Sequence, residues 1–497
     1  MFAKKNPEAA QGTDGIRSVG AASNCSIRPQ LGRLGLTSVI FFTVCGGAYG
    51  LEPLVGSLNP GWAVALILLV PLLWCLPITW MVSELSSALP EEGGYYIWVR
   101  KGLGEYWGFQ EGWWTLCYTA VDMAIYPVLF VDYLAFFFPS LSLSANATAR
   151  GPVFLIRWLV AVLVIATAFL INWRGIRVVG QSSSFTMAVV LAPFALLTIL
   201  GLGHAGEIGA AFSAVRNGLA HGHSGHLLAL GLATVLWNYS GWDNVSTFAG
   251  EVKHARRSYP FALGASQVLI AGAYVLPVLA GVALTSSPAL WSESKGWPQI
   301  ARLIGGPWFA LVIAALALVS AWSMFNSQLL YVSRLPYAMA REGWFPSAFA
   351  RISPTTGVPV AALAAACGVA SLLSAFSFTQ LVVLDILLYS VELIPEFIAL
   401  IALRIKQPDM ERPFRVPGGW VGLIVVTVLP AAFAVVIAVA TFAGEGAELY
   451  QMGVIPAVIA TGTWIYFKKR QSVAARPCQP SEDSPLSPAA AGESGQG

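Results

Sequence analysis

The 497-residue sequence predicts an all-α membrane protein, and three observations carry that prediction. Apolar residues make up 56% of the chain and charged residues 11%, where an average soluble domain is about a quarter charged. The apolar residues fall in about a dozen runs of bilayer-spanning length. The basic residues fall in alternate connections between those runs, as membrane threading requires. The net charge of +3 is small and dispersed, which excludes nucleic acid as a partner. A lipid bilayer is the partner that the composition demands.

Apolar runs and charged punctuation place twelve transmembrane helices at 35–57, 62–88, 106–138, 152–171, 178–203, 226–250, 260–286, 305–335, 358–376, 380–404, 420–442 and 449–468. The third and eighth exceed the hydrocarbon thickness, so they tilt or project beyond it. Residues 1–34 carry five basic residues and no apolar h-region, so the first span serves as its own insertion signal. Residues 471–497 are rich in Pro, Ser, Ala and Gly and read as a disordered tail. With both termini cytoplasmic, 23 basic residues lie on the cytoplasmic side and 5 on the other. A shift of one span would scramble this alternation. A cell-membrane location with both ends inside follows.

Two spans are interrupted. In the first, Val44-Cys45-Gly46-Gly47-Ala48-Tyr49-Gly50 puts Gly46, Gly47 and Gly50 at mid-membrane. In the sixth, Asn238-Tyr239-Ser240-Gly241-Trp242-Asp243-Asn244 sets a polar run inside an apolar segment. A broken backbone survives in lipid only where protein or a watery cavity surrounds it. Alone, Gly46-Gly47 reads as close helix packing. Matched with the second break, it reads as half of a transporter binding site, provided the first ten spans form two five-helix repeats of opposite orientation.

Ionisable groups at membrane depth mark function by default. Here the deep set is acidic: Asp122, Asp243, Asp385, Glu392, Glu396 and, at the inner end of the sixth span, Glu251. Arg157, Arg334 and Arg404 stand near span ends, where they can snorkel. Carboxylates without cationic partners must protonate, bind a metal cation or bind a cationic substrate. Asp243 is the expected ligand of a substrate amine, with Asp122 a second amine site. Glu251 either pairs with Lys253 or Arg256 at the rim or serves in gating or proton transfer. Glu392 and Glu396, one turn apart, face a hydrated cavity or, the favoured reading, hydrogen-bond neighbouring helices as neutral acids. Asp132 lies near the outer surface without a special role. His221, His223 and His226 read as a hydrated loop rather than a metal site. The six cysteines fit no metal spacing, and four lie in apolar segments as packing residues. No metal or cofactor is expected. Asn146-Ala147-Thr148 is a glycosylation sequon. There is no phosphate-binding loop for ATP and no nucleophile–base pair at depth, so the chain reads as a transporter and not an enzyme.

Four motifs resemble those of the amino acid–polyamine–organocation permeases: Pro90-Glu91-Glu92-Gly93-Gly94-Tyr95; Ser240-Gly241-Trp242-Asp243-Asn244 with Glu251 and Pro260; Ala340-Arg341-Glu342-Gly343-Trp344-Phe345-Pro346 with Gly357-Val358-Pro359; and Arg412-Pro413-Phe414-Arg415-Val416-Pro417. Trp237-Asn238 and Tyr126-Pro127-Val128-Leu129-Phe130 look most like the plant polyamine-uptake and L-type amino-acid branch. The resemblance implies a 5+5 inverted-repeat core over 35–404, two peripheral helices over 405–470, and discontinuous helices 1 and 6. It implies that Gly46, Gly47 and Gly50 receive a substrate carboxylate, and that Tyr239, Ser240, Gly241 and Trp242 face the amine. Some proton-coupled relatives carry a lysine in the fifth span, and residues 178–203 hold none, so the residues leave the coupling ion open. The expected function is secondary active transport of amino acids, polyamines or both by alternating access, with a coupling proton. Exchange of neutral amino acids is the alternative, and a non-transporting sensor fits poorly.

Overall fold

The computed structural model describes residues 29–142, 151–203, 205–222, 225–291, 296–443 and 449–474. The expected terminal tails, up to residue 28 and from residue 475, the sequon at Asn146, and His223 lie outside them. Among the described residues every regular element is helical, apart from two isolated bridges. Seven helices are long and apolar enough to cross a bilayer, and three shorter ones are apolar.

The chain enters as α1 (Arg33–Val44), which stops at Cys45. Gly47 and Gly50 then take φ of 92° and 88°, a region that side chains with a Cβ avoid. The helix restarts as α2 (Glu52–Leu58), with Pro53 in its first turn. Next come α3 (Pro60–Val70) and α4 (Leu76–Ala88), joined through a π-helical turn at Pro71–Cys75 into one 29-residue span. A proline cannot donate to the helix ladder, and the wider turn absorbs the misfit. The Gln267 amide satisfies the Pro71 carbonyl at 2.9 Å.

A short helix, α5 (Tyr95–Leu103), precedes α6 (Glu105–Phe137), α7 (Pro152–Trp173) and α8 (Ile176–Gly201). Residues 205–220 belong to none of the expected spans, yet they form α9 (Ala205–Ala220), which packs on α3 and α11. Helical structure in the expected sixth span ends early. It comprises α10 (Gly225–Asn238), a non-helical stretch at Tyr239–Asp243, and 3-10 turns at Asn244–Thr247 and Ala249–Glu251. Then follow α11 (Ala255–Leu284) and α12 (Gly296–Arg341). The latter is longer than the 305–335 expected, and Gly306 at φ 71° kinks it. The last helices are α13 (Val360–Leu373), α14 (Phe378–Lys406), α15 (Gly419–Ala443) and α16 (Leu449–Ala474).

At the centre α6 packs against α12 and α14, and α1 lies among α8, α11 and α12. On the outside, α7 and α8 expose apolar side chains such as Leu155, Leu163, Phe185 and Ile199. On these helices, whose hydrogen bonds close within the segment, that surface suits lipid. The four described cysteines, Cys45, Cys75, Cys117 and Cys367, are free thiols.

Candidate functional site

The two breaks face each other across one cavity. Its wall includes Thr43, Gly46 and Tyr49 from the first break and Trp237, Asn238, Ser240 and Gly241 from the second. A Cβ on Gly46 would sit 2.3 Å from Ser320 Oγ and 2.5 Å from Met324 Sδ, so only glycine brings the backbone to this wall. Gly241 turns at φ 89° beside the Thr43 carbonyl. Its N–H donates to the Tyr389 hydroxyl at 3.1 Å. The break carbonyls are held by the protein: Gly46 by Ser320, and Ala48 by Trp297 Nε1 at 2.7 Å. The Gly50 amide donates to Glu52 Oε2 at 2.7 Å. The Gly50 amide, expected to receive a substrate carboxylate, is thus occupied here by a carboxylate of its own chain. Gly47 lies off the wall, against Val190 and Phe194.

Two acids share the cavity wall, Asp122 from α6 and Asp385 from α14. The Tyr126 and Tyr331 hydroxyls donate to Asp122, at 2.9 and 3.0 Å. Asp385 faces Asp122 and keeps Oδ1 buried with no hydrogen-bond partner. No lysine or arginine stands on this wall among the described residues. Five tyrosines do: Tyr49, Tyr118, Tyr126, Tyr133 and Tyr274. Hydroxyls of four are committed to the protein. Tyr49 donates to Ile313 O at 2.6 Å, Tyr126 to Asp122 and Tyr274 to Asn238 O at 2.7 Å, while Tyr118 accepts from Asn244 Nδ2 at 2.9 Å. The cavity therefore offers ring faces and carboxylate oxygens, the two surfaces that attract an ammonium group.

Asp243, read from the sequence as the first amine ligand, is not on this wall. It is fully buried behind Gly241, and Tyr389 donates to its Oδ1 at 2.7 Å. The positive φ of Gly241 turns the chain so that the next two side chains leave the cavity. Trp242 is buried with it, and the Tyr239 hydroxyl donates to Ile67 O at 3.2 Å. Of the second-break residues expected to face cargo, Ser240 and Gly241 line the cavity. Trp237 and Asn238, one helical turn earlier, join them.

A second acidic group lies between α6 and α14. Glu111, Glu392 and Glu396 are fully buried, with a carboxylate oxygen of each within 4.8 Å of the others. Thr115 donates to Glu392 Oε1 at 3.0 Å, while both oxygens of Glu111 and of Glu396 lack partners. Glu111 was not singled out in the sequence. Its spacing from Asp122, eleven residues or about three helical turns on the same helix, was the signal available.

Comparison with known proteins decides the family: the amino acid permease profile matches residues 31–467. The chain belongs to the amino acid permease family. It is 36% identical over 410 residues to "Polyamine transporter PUT1" of Oryza sativa subsp. japonica, covering 82% of this chain and 73% of that one. It is 32% identical over 398 residues to "Polyamine transporter RMV1" of Arabidopsis thaliana, covering 80% and 78%. Against "Cationic amino acid transporter 4" of Mus musculus the figure is 28% over 347 residues, covering 67% and 53%.

In this permease the motifs outside the second break fasten connections that do not line the cavity. Gly93 N donates to Thr247 O at 2.8 Å and Tyr95 N to Ser246 Oγ at 3.2 Å, which ties the Pro90–Tyr95 turn to the 3-10 turns after the second break. Burial pushes the Glu92 carboxyl in this turn well above the usual carboxylate range. Glu251 adds to the shift, and Arg334 and Arg341 oppose it. Glu342 accepts from Tyr96 and Arg100, and Trp344 stacks on Tyr466 of α16 at 5.2 Å.

Two arginines depart from the expected snorkelling. Arg334 is fully buried and donates to both oxygens of Glu251, at 2.8 and 3.4 Å. The partner of Glu251 is therefore neither Lys253 nor Arg256, which pairs with Glu411. Arg404 reaches Glu84 on α4 at 2.8 and 2.5 Å, with Arg412 and the Val416 amide on the same carboxylate. These arginines turn inward because a buried carboxylate awaits each one. At the opposite face Arg157 pairs with Asp132.

Proposed function

We propose that this permease carries polyamines across the cell membrane as a secondary active transporter, alternating access to the cavity from its two sides. The observation that carries the proposal is the pairing of Asp122 and Asp385 on one cavity walled by tyrosine faces and free of basic residues. A polyamine presents ammonium groups on an apolar chain. Carboxylates bind the former, and ring faces accept both ammonium and methylene. The occupied amide of Gly50 weighs against a cargo that needs a carboxylate site there. The names of the rice and Arabidopsis relatives agree with the reading.

In this reading the twelve spans comprise ten core helices, arranged as two inverted repeats of five, and two peripheral ones, with both termini cytoplasmic. Ten apolar helices and the paired breaks support that arrangement. A proton is the coupling ion, because the cavity and its flank hold carboxylates in excess of cations. Cationic amino acids are the second reading. Gly46 still brings backbone to the cavity wall, and one relative is named for such cargo.

The test is uptake of labelled putrescine, arginine and leucine by vesicles reconstituted with the full chain, with and without a pH gradient. Putrescine is expected to enter and leucine to be excluded, and Asp385→Asn is expected to lower putrescine uptake at least tenfold. Leucine uptake indifferent to Asp385→Asn overturns the proposal.

A further inference from the structure

We propose that Glu111, Glu392 and Glu396 form a proton-binding site separate from the cargo cavity and linked to the second break through Asp243 and Tyr389. The proposal rests on the transporter reading above and names where its coupling proton resides.

The first observation is the cluster itself. Three carboxylates from two helices converge within 4.8 Å, fully buried. The second is independent of it. Asp243 belongs to the break, not to either helix, and it is fully buried with Oδ2 unpartnered. It is the strongest charged neighbour of all three glutamates. From α5, the Tyr95 hydroxyl faces the same four acids and is likewise buried without a partner. Asp385 and Tyr389 of α14 face Glu392 from the cavity side. An array of acids that close cannot hold a full set of negative charges without a cation.

Among the described residues the protein supplies no such cation. The basic residues on the flanking helices are held elsewhere. Arg100 pairs with Glu342, Lys101 with Glu91 and Arg404 with Glu84, while Lys406 donates to Gly102 O at 2.6 Å. The same three carboxylates could also ligate a divalent ion with water completing its shell of about six oxygens, and the experiment below separates the two. A proton needs one oxygen and lets a neighbouring carboxylate accept the O–H.

From Asp243 to the cavity wall the linkage is hydrogen-bonded. Asp243 Oδ1 accepts from the Tyr389 hydroxyl at 2.7 Å, that oxygen accepts from the Gly241 amide at 3.1 Å, and Gly241 stands on the cavity wall. The Tyr389 ring also lies 5.0 Å from that of Tyr118, another wall residue. A proton taken up from one compartment is shared between neighbouring carboxylates and removes one negative charge from the array while cargo is carried. Its release to the other compartment leaves like charges between α6 and α14, a repulsion that separates the two helices. One proton enters from one side and one leaves on the other, with no bond to the cargo.

The experiment uses the full chain in vesicles that hold a pH-sensitive dye. Three quantities are read: putrescine uptake driven by an inward proton gradient, dye acidification during uptake, and putrescine counterflow without a gradient. Glu111→Gln, Glu392→Gln and Glu396→Gln are tested singly and as the triple variant. The expected result is that counterflow persists, reporting a folded protein with intact cargo binding. Gradient-driven uptake falls to the level measured without a gradient, and acidification disappears. Gradient drive and acidification that survive in the triple variant overturn the proposal. So does gradient-independent transport by the unaltered chain, an outcome that leaves polyamine carriage standing. Saturable Mn²⁺ or Ca²⁺ binding by the purified protein, lost in Glu392→Gln, overturns it in favour of a metal site. Loss of counterflow in all variants overturns the separation of this site from the cargo cavity.

Discussion

Arg334 and Glu251 show how a single pair can carry structural weight in a membrane protein. The arginine is fully buried and the glutamate nearly so, and two N–H···O bonds join α12 to the 3-10 turn that closes the second break. The backbone of the same glutamate also holds the segment before α1, its carbonyl accepting from Gln30 and Leu31 at 2.8 and 3.0 Å. Removing one partner leaves a buried charge uncompensated, which costs about 3–5 kcal/mol. Glu251→Gln is therefore expected to lower the thermal stability of the detergent-purified protein, and the double variant with Arg334→Met to recover most of the loss. A double variant no more stable than the single one shows that the pair does not act as a unit. At this scale the sequence was partly legible. Glycines and acids at membrane depth stood out because nothing in an apolar segment explains them. The partner of Glu251 did not, since 83 residues separate the pair. Nor could residue type tell that Gly241 turns Asp243 away from the cavity while Asp385 faces into it.

Among the elements, the two broken segments were readable, because glycines and a polar run interrupt otherwise apolar stretches. Connections were not, since their order comes from side chains elsewhere. The Arg412–Pro417 connection illustrates this. Glu84, on a different span, gathers Arg404, Arg412 and the Val416 amide on one carboxylate. Arg412 further donates to the carbonyls of Leu403 and Gln407, at 3.0 and 2.9 Å, which closes the end of α14. A neutral amide in place of Glu84 keeps the shape but surrenders the charge that fixes two guanidinium groups. Glu84→Gln is expected to speed trypsin cleavage after Arg415 several-fold in inside-out vesicles, where the sidedness proposed above puts this connection in the medium. Cleavage only in right-side-out vesicles contradicts the assigned sidedness, and an unchanged rate contradicts the role of Glu84. The short helices α5 and α9 escaped the sequence reading for a related reason. Each is defined by what it packs against, α5 by α6 and α14, and α9 by α3 and α11.

For the molecule as a whole, the size of the cavity sets the requirement. The cavity volume is about 20 Å³, narrow for a diamine. In the carriage proposed above this arrangement is the closed state, and a motion must widen the site towards one face at a time. The walls that must separate carry the two breaks, α6, α12 and α14. Ser240 is a suitable reporter, since it lines the cavity and its hydroxyl donates to Leu236 O in the last turn of α10, at 2.6 Å. In a chain whose native cysteines have been replaced, Ser240→Cys is expected to react slowly with a membrane-impermeant thiol reagent, to block uptake once labelled, and to be protected by putrescine. Slowness reflects the closed state, and protection reflects cargo in the space the reagent must enter. Labelling as fast as at an exposed loop cysteine, or labelling indifferent to putrescine, contradicts a closed cargo site between the breaks. The membrane class was legible from composition and charge placement because the bilayer imposes both on any chain that spans it. The closed state was not, because it depends on how far five tyrosine rings and Met324 close over two aspartates. That distance is set by packing summed over the core and by no one segment of the sequence.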